Sequence, residues 1–254
     1  MKSFISKYWN HAYRLLLLSL IVLYPNLVSD GHSWKFISKY QIDLPMQYLI
    51  HGFDISRHNG DVDWGKINSK REDETRLHFV VIKATEGAEM VDVNFKINWE
   101  NARKHGFVRG AYHYFVPGVD ARLQALNYIL NVKHQKGDIY PVLDFEKNAN
   151  GSHAKKQLAS GLKTWLDIVE KHLGVKPIIY TNTPVYKEYI KSELAEYPLW
   201  ISDYVSKDIG FVDSPNLILW QHSETGRLPG INENVDFNVF LGTPHKFEKY
   251  RINI

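Results

Sequence analysis

Short apolar runs and longer amphipathic stretches alternate along most of this chain. Eight of the short runs are predicted to be β-strands, because each is bounded by polar or turn-forming residues. They cover residues 49–53, 79–83, 108–115, 140–143, 178–180, 199–202, 217–221 and 235–240. Apolar residues at helical spacing predict helices at residues 94–105, 121–132 and 158–173. Asp120 lies where it would cap the second helix, and Gly174 lies where the third would end.

The order of these elements predicts the fold class. Alternation of strands and helices implies parallel strands joined by crossover helices. Beyond residue 191, strands follow one another through gaps that are rich in loops rather than helices. Eight strands and about five helices therefore predict an α/β fold, an irregular TIM-like (β/α)5(β)3 barrel. A doubly wound open sheet is the competing arrangement.

Polar and aromatic residues follow the predicted strands repeatedly. They are Asp54, Glu86, His113, Tyr114, Asp144, Glu146, Tyr180, Asn182, Trp200, Asp203, Gln221 and His222. In a parallel barrel, the carboxyl ends of the strands surround one opening, where active sites form. The repetition at successive strands predicts a functional site at that opening.

Composition and charge limit the alternatives. The chain has 254 residues, 44% of them hydrophobic and 23% charged, with a net charge of +3. These values are typical of a globular protein, and so small a charge gives no reason to expect nucleic acid as a partner. The absence of cysteine excludes disulfides and a thiolate nucleophile.

The N-terminus predicts export. Lys2, Lys7 and Arg14 precede an apolar run over residues 15–24, which Pro25 interrupts. Basic residues followed by about ten apolar ones are typical of a secretory signal. No Ala-x-Ala-like cleavage site follows, so an uncleaved anchor that tethers the protein to the inner membrane through residues 15–28 is the alternative. Either segment would place the protein in the cell envelope or outside the cell.

The domain organisation follows from these patterns. Residues 1–28 are predicted to be the signal or anchor, and residues 29–47, mixed in polarity, a connector. Residues 48–247 form the predicted barrel domain and residues 248–254 a short tail. We expect this barrel to be monomeric.

The segment Pro-Val-Leu-Asp-Phe-Glu, residues 141–146, ends an apolar run with two acids. In a strand, Asp144 and Glu146 would point to the same side, with Cα atoms roughly 6–7 Å apart. Two carboxyl groups this close do not both ionise easily, and glycosidic bond cleavage uses such a pair. A strand end with one solvated acid and an unrelated neighbour would have the same sequence.

Eight motifs, in order along the chain, resemble glycoside hydrolase family 25. They are GFDIS (52–56), KATEG (83–87), RGAYHYF (109–115), VLDFE (142–146), IYTN (179–182), LWISDY (199–204), LWQHS (219–223) and NVDFN (234–238). The resemblance covers residues 49–240. It implies a barrel of eight strands and five helices and lysozyme (N-acetylmuramidase) activity on peptidoglycan. The expected reaction is hydrolysis of the β-1,4 bond between N-acetylmuramic acid and N-acetylglucosamine.

The resemblance also implies roles for four acids. Glu146 matches the general acid. Asp144 matches its partner, which either stabilises an oxocarbenium-like centre or orients the N-acetyl group of the substrate for attack. Asp54 and Asp236 match the other two acids, although a capping or loop role for Asp54 and a salt bridge for Asp236 are the alternatives. Four acids in one cavity repel one another, so some must be protonated or hydrogen-bonded.

Other residues are predicted to bind the sugar chain. The set comprises Tyr114, Tyr180, Trp200, Asp203, Gln221 and Glu86. Aromatic rings would stack on sugar faces and polar groups would bind hydroxyls. Asp203 could equally cap a loop, Tyr112 and Trp220 could equally belong to the core, and His113 is out of phase with Tyr114.

Two other functions stay open from the residues alone. The 12 histidines show no metal-ligand spacing, but His51, His58 and His222 could approach the acids. That arrangement would make the protein a metal-dependent barrel hydrolase. A peptidoglycan-binding protein without catalysis would lack one of the four acids, and all four are present. We therefore predict no metal and no cofactor, with the glycan strand of peptidoglycan as the partner.

Overall fold

The strands of this protein, described from a computed structural model, form a hairpin and a large sheet. The structure describes residues 33–67, 76–146 and 155–253, so the predicted signal or anchor lies outside the described residues. The strands are β1 (Trp34–Ile37), β2 (Ile42–Pro45), β3 (Ile50–Ile55), β4 (Leu77–Glu86), β5 (Met90–Val91), β6 (Val108–Tyr114), β7 (Val142–Asp144), β8 (Ile178–Asn182), β9 (Leu199–Ser202), β10 (Leu217–Gly226) and β11 (Val235–Phe240).

Helices follow most of the earlier strands. They are α1 (Phe95–Lys104), α2 (Ala121–Asn131), α3 (Lys155–Leu173), α4 (Thr183–Val185, continued by the π-helical turn Tyr186–Ile190) and α5 (Pro244–Glu248). Asp120 accepts a hydrogen bond from the Arg122 backbone N–H at 2.7 Å, and Gly174, with φ of 70°, follows α3. Both predicted helix ends are confirmed. Within the described ranges, no helix is both long and apolar enough to cross a membrane.

Pairing of the first and last strands closes the sheet. The order β3-β11-β10-β9-β8-β7-β6-β4 returns to β3 through a β3–β4 pairing, and β5 is added at the edge of β4. Neighbouring barrel strands are parallel, except that β11 is antiparallel to both β10 and β3. The predicted irregular barrel of eight strands and five helices is confirmed, and the open sheet is wrong.

The barrel is filled at one end. Inside it, Phe79, Val81 and Phe240 belong to an apolar cluster of buried residues. Phe247 of α5 joins this cluster, with its ring 5.7 Å from that of Phe79 and 5.1 Å from that of Phe240. Phe79 lies near the start of β4 and Phe240 at the end of the antiparallel β11. Helix α5 therefore closes the end of the barrel where the parallel strands begin, and their carboxyl ends surround the open end.

Part of the predicted connector is ordered structure. Residues 34–45 form the antiparallel hairpin β1–β2, and its turn includes Gln41 at φ 55°. Tyr40 and Leu44 are buried in the large apolar cluster that lies between the barrel and its outer layer. The hairpin thus packs on the barrel, beside β10.

The predicted tail also contacts the barrel. Arg251 pairs with Ile139 in an isolated bridge. The Ile252 N–H donates to the Asp138 carbonyl oxygen at 2.7 Å, and the Ile252 side chain is buried. These contacts attach the end of the chain to the loop before β7.

Candidate active site

The open end of the barrel contains a small polar cavity of about 80 Å3. Its walls come from seven of the eight barrel strands or the residues just after them. They comprise Asp54, Tyr112, Val142, Asp144, Glu146, Tyr180, Trp200, Gln221 and Asp236. All four acids that the sequence singled out, together with Tyr180, Trp200 and Gln221, therefore meet in one place.

Asp144 and Glu146 point to the same side of the chain. Asp144 ends β7 and Glu146 follows two residues later, and both line the cavity. Phe145 between them is fully buried on the opposite side, with its ring 6.1 Å from Phe115 and 5.9 Å from Tyr189. Burial of Phe145 in the apolar layer fixes the alternation that the sequence predicted.

Asp144 has an unsatisfied carboxyl oxygen. Its Oδ1 atom is buried and has no hydrogen-bond partner among the described residues. Burial, and then the negative charge of Glu146, raises the pKa of Asp144 well above its usual range, although the positive charge of Lys83 opposes the shift. A buried oxygen without a partner costs free energy. A ligand that donates a hydrogen bond here would remove that cost.

Asp54 and Asp236 face each other across the antiparallel strands β3 and β11. Asp54 Oδ2 accepts hydrogen bonds from Asn238 Nδ2 at 2.7 Å and Gln221 Nε2 at 2.8 Å. Burial raises the pKa of Asp54 to about 7 despite these two bonds. Burial, the charge of Asp54 and that of Glu224 raise the pKa of Asp236 to about 8. Near neutral pH the two carboxyl groups therefore share a proton, with Asp236 as the donor.

Amide and hydroxyl groups hold the Asp54 side of the cavity in place. Gln221 Oε1 accepts hydrogen bonds from the hydroxyls of Tyr180 at 2.8 Å and Tyr204 at 2.6 Å. Because both lone pairs of this oxygen are used, the Gln221 amide group is fixed with its Nε2 atom towards Asp54. Trp200 Nε1 orients Asn238 in the same way, by donating to Asn238 Oδ1 at 3.0 Å.

Tyr180 and Trp200 differ from their predicted role. They were expected to present ring faces to a sugar, but their exposed fractions are 7% and 2%. The two rings pack edge to face with their centroids 4.7 Å apart. They therefore form the wall of the cavity and orient Gln221 and Asn238, and little of either ring face is free for stacking.

Three predicted residues lie outside the cavity lining. Tyr114 and Glu86 are register partners on β6 and β4. The Lys83 ammonium lies 2.6 Å from Glu86 Oε2 and 4.9 Å from the centre of the Tyr114 ring. Asp203 Oδ1 accepts hydrogen bonds from the backbone N–H groups of Val205 and Ser206, which is the loop-capping alternative. Tyr114 and Glu86 thus contact Lys83, whose positive charge acts on Asp144. Asp203 lies in a turn.

Three residues of the site were not singled out from the sequence. They are Lys83, Tyr204 and Asn238, which contact the walls of the cavity or act on them through charge. Tyr112, for which the sequence left both the groove and the core open, lines the cavity. Lys83 follows the inward-facing Phe79 and Val81 at two-residue spacing, and Asn238 follows Asp236 in the same way. Strand alternation would therefore have found Lys83 and Asn238. Tyr204 lies in the loop after β9, where no periodicity operates.

The histidines lie apart from the acids. His51 and His222 are buried with Trp220 on the outer side of the barrel wall, and His58 is exposed. In the part of the chain that the structure describes, no group of three or more histidine, aspartate or glutamate side chains could hold a metal ion.

Comparison with known proteins decides the family. The model of glycosyl hydrolases family 25 matches residues 53–231. The chain belongs to glycosyl hydrolase family 25. It is 38% identical over 221 residues to the uncharacterized protein YegX of Escherichia coli (strain K12), covering 86% of this chain and 79% of that protein. It is 27% identical over 206 residues to Lysozyme M1 of Streptomyces globisporus, covering 76% and 68% of the two chains.

A solved structure agrees with this family 25 membership. The family 25 glycosyl hydrolase from Bacillus anthracis superimposes with a TM-score of 0.73 at 31% identity, covering 87% of this chain and 99% of that one. The resemblance seen in the sequence motifs is therefore confirmed. The protein is a glycoside hydrolase with the barrel of its family, and its polar cavity lies at the end of the barrel where the parallel strands finish.

Proposed function

We propose that this family 25 enzyme is a muramidase. It hydrolyses the β-1,4 bond between N-acetylmuramic acid and N-acetylglucosamine in peptidoglycan. Family membership and the lysozymes and muramidases among its relatives support the substrate class. The observation that carries the mechanism is the pair formed by Glu146 and Asp144, two carboxyl groups on one side of the chain in one cavity.

Glu146 is the acid and later the base. It is the half-buried member of the pair, so it can reach both the glycosidic oxygen and a water molecule. It protonates the oxygen of the leaving N-acetylglucosamine while the bond from that oxygen to the muramic acid C1 breaks. The resulting carboxylate then takes a proton from the water that attacks C1.

Asp144 positions the acetamido group. Its Oδ1 atom, buried and without a partner, accepts a hydrogen bond from the acetamido N–H. This bond turns the acetamido carbonyl oxygen towards C1, where it attacks as the leaving group departs. The hydrogen bond from the acetamido N–H favours the ionised form of Asp144, against the burial that raises its pKa. The negative charge of that form stabilises the positive charge that the ring intermediate acquires. Asp54 and Asp236, which share a proton nearby, set the charge of the cavity and hold its wall.

The test removes the proton of Glu146 without changing its shape. Glu146→Gln should reduce the release of reducing ends from purified peptidoglycan by roughly 10²–10⁴-fold, because an amide cannot deliver a proton. Glu196→Gln is the matched control, since Glu196 is exposed in the segment before β9, at the end of the barrel where the parallel strands begin. The digestion is run in chelator, and mass analysis identifies the new reducing end.

Muramic acid at the new reducing ends, together with an inactive Glu146→Gln and an active Glu196→Gln, would support the proposal. Near-wild-type lysis by Glu146→Gln, or N-acetylglucosamine at the new ends, would reject it. Activity that disappears in chelator would favour a metal-dependent hydrolase instead.

The substrate sets the place of action. Peptidoglycan lies outside the cytoplasmic membrane, and the basic and then apolar N-terminal residues 2–24 fit export. We therefore place the enzyme in the cell envelope or outside the cell. The intact mass of the protein from membrane and soluble fractions would distinguish a retained anchor from a cleaved signal.

A further inference from the structure

The catalytic cavity is too small to hold the substrate by itself. Its volume of about 80 Å3 is well below the roughly 300 Å3 at which ligand pockets begin. A glycan strand that reaches Glu146 must therefore extend over the neighbouring surface. A second, larger groove of about 280 Å3 lies beside the cavity, and it is called the hairpin groove below.

The hairpin groove lies between the hairpin β1–β2, the loop after β9 and the end of β10. Its lining includes Phe36 and Gln41 of the hairpin, Tyr204 and Lys207 of the loop, and His222 and Ser223 of β10. Residues 34–45 lie outside the span 53–231 that the family model matches. One wall of this groove is therefore built from a part of the chain that the family model does not include.

Tyr204 connects the groove to the catalytic cavity. Its side chain lines the groove, and its hydroxyl donates to Gln221 Oε1 at 2.6 Å. Gln221 in turn lines the cavity and donates to Asp54 at 2.8 Å. The Tyr204 and Gln221 side chains thus separate the two depressions, and a chain bound in the cavity can continue into the groove.

Three contacts hold the groove open before any ligand binds. Trp34 Nε1 donates to the Lys207 carbonyl oxygen at 2.9 Å, and the Lys207 ammonium lies 4.3 Å from the centre of the Trp34 ring. The same ammonium pairs with Asp43 Oδ2 at 3.4 Å. These contacts tie the loop to both strands of the hairpin, so binding requires little reorganisation.

The chemistry of the lining fits a sugar. Phe36 is 62% exposed and Tyr204 is 41% exposed, so both offer ring area to a ligand. Around them are the hydroxyl and amide groups of Gln41, Ser206 and Ser223. Exposed aromatic rings beside neutral polar groups match the C–H faces and hydroxyls of a pyranose.

We propose that the hairpin groove is a glycan subsite that binds an N-acetylhexosamine unit beyond the bond being cleaved. The subsite rests on the proposed muramidase function, since it extends the same glycan strand. It would make the enzyme prefer long strands over short fragments. Phe36 would be its main contact, because it is the most exposed aromatic residue of the lining.

The test measures binding as a function of glycan length. Glu146→Gln serves as the background, so that the ligand survives, and Phe36→Ala is added to it. The ligands, titrated by calorimetry, are a disaccharide and a long glycan strand from peptidoglycan, both freed of stem peptides. The same long strand with its stem peptides retained is a third ligand. Phe36→Ala should weaken binding of the long strand about three- to tenfold and leave the disaccharide unchanged. Phe211→Ala is the matched control, since Phe211 is 46% exposed and lies outside the groove lining.

A loss confined to Phe36→Ala and to the long strand would support the subsite. No loss, an equal loss with Phe211→Ala, or an equal loss on the disaccharide would overturn it. A loss seen only when stem peptides are retained would also overturn it, because the occupant would then be peptide. This binding result is independent of the identity of the cleaved bond, so failure of the subsite and failure of the muramidase proposal can be told apart.

Discussion

Two groups of buried ionisable residues lie on opposite sides of the barrel wall. Inside the open end, Asp54 and Asp236 face a cavity and are held by amide groups. Outside, His51 and His222 are buried, with His222 against Trp34 of the hairpin, and none of their ring nitrogens has a well-formed hydrogen bond to a described residue. Burial raises the pKa values of the two acids and lowers those of the two histidines, to about 4 for His51 and about 3 for His222.

Both pKa shifts favour the uncharged form, yet the acids and the histidines have different roles. The acids adjoin Glu146 and the unsatisfied oxygen of Asp144, where a ligand can change their charge. The His222 ring contacts Trp34 and Trp220 edge to face and acts as aromatic packing. A perturbed pKa is a sign of a functional site where the group has polar neighbours in a cavity, as the acids do. His222 borders the hairpin groove, but its printed side-chain contacts are aromatic. The predictions below test this difference.

The largest effect is expected at Asp144. Asp144→Asn should lower kcat by on the order of 10²-fold or more, because a neutral amide does not stabilise the positive charge of the intermediate. The free energy of unfolding should stay the same or rise, because the variant removes a buried acid beside Glu146. Peptidoglycan kinetics and urea unfolding measure the two quantities. A stable variant with wild-type kcat would place Asp144 outside the mechanism.

The second effect is the contribution of the acid pair to the free energy of unfolding as a function of pH. The folded pKa values of Asp54 and Asp236, about 7 and about 8, lie above the unfolded value. The folded state therefore holds protons that the unfolded state has lost, and the stability contributed below about pH 4 is lost as the pH rises towards 8. The free energy of unfolding is expected to fall by on the order of 1 kcal/mol per pH unit over this range.

Asp54→Asn should reduce this fall. An amide oxygen at position 54 can still accept from Asn238, and without the charge of Asp54 the pKa of Asp236 should move down towards its ordinary value. Urea unfolding of both proteins between pH 4 and 8 measures the slope. Asp213→Asn is the control, since the Asp213 side chain is 90% exposed, and it should leave the slope unchanged. Equal slopes in the wild type and Asp54→Asn would mean that the pair is ionised throughout.

Local pattern was sufficient to predict the barrel. Each barrel strand is an apolar run, because parallel strands covered on both faces need apolar residues throughout. The hairpin was missed because each of its strands has only four residues, with Lys35, Phe36 and Asp43 exposed. Residues that cover a barrel from outside are apolar on one face only, and four residues are too few to show a period.

The parts of the site that depend on the alternation of side chains along a strand could be predicted from the sequence. Asp144 and Glu146 were placed on one side because two-residue spacing decides that within a strand. The exposure of Trp200 and Tyr180 was not predictable, since it depends on their edge-to-face contact across β8 and β9. The Tyr204 hydrogen bond was also out of reach, because it joins a loop to a residue on another strand.

The smallest effect is expected at His222. Its folded pKa lies below the unfolded value, so the stability that it contributes is present above about pH 6.5 and is lost as the pH falls towards 3. His222→Phe keeps the edge-to-face packing against Trp34 and Trp220 and has no proton to gain. Its free energy of unfolding should match that of the wild type at pH 8 and exceed it in acid, by on the order of 1 kcal/mol per pH unit below 6.5.

Unfolding in urea at pH 4, 6 and 8 measures this difference, with His58→Gln as the exposed control. If His222→Phe instead lost stability at pH 8, the ring nitrogens of His222 would have a polar partner. The acids and His222 would then differ only in which side of the barrel wall they occupy, and not in the polarity of their neighbours.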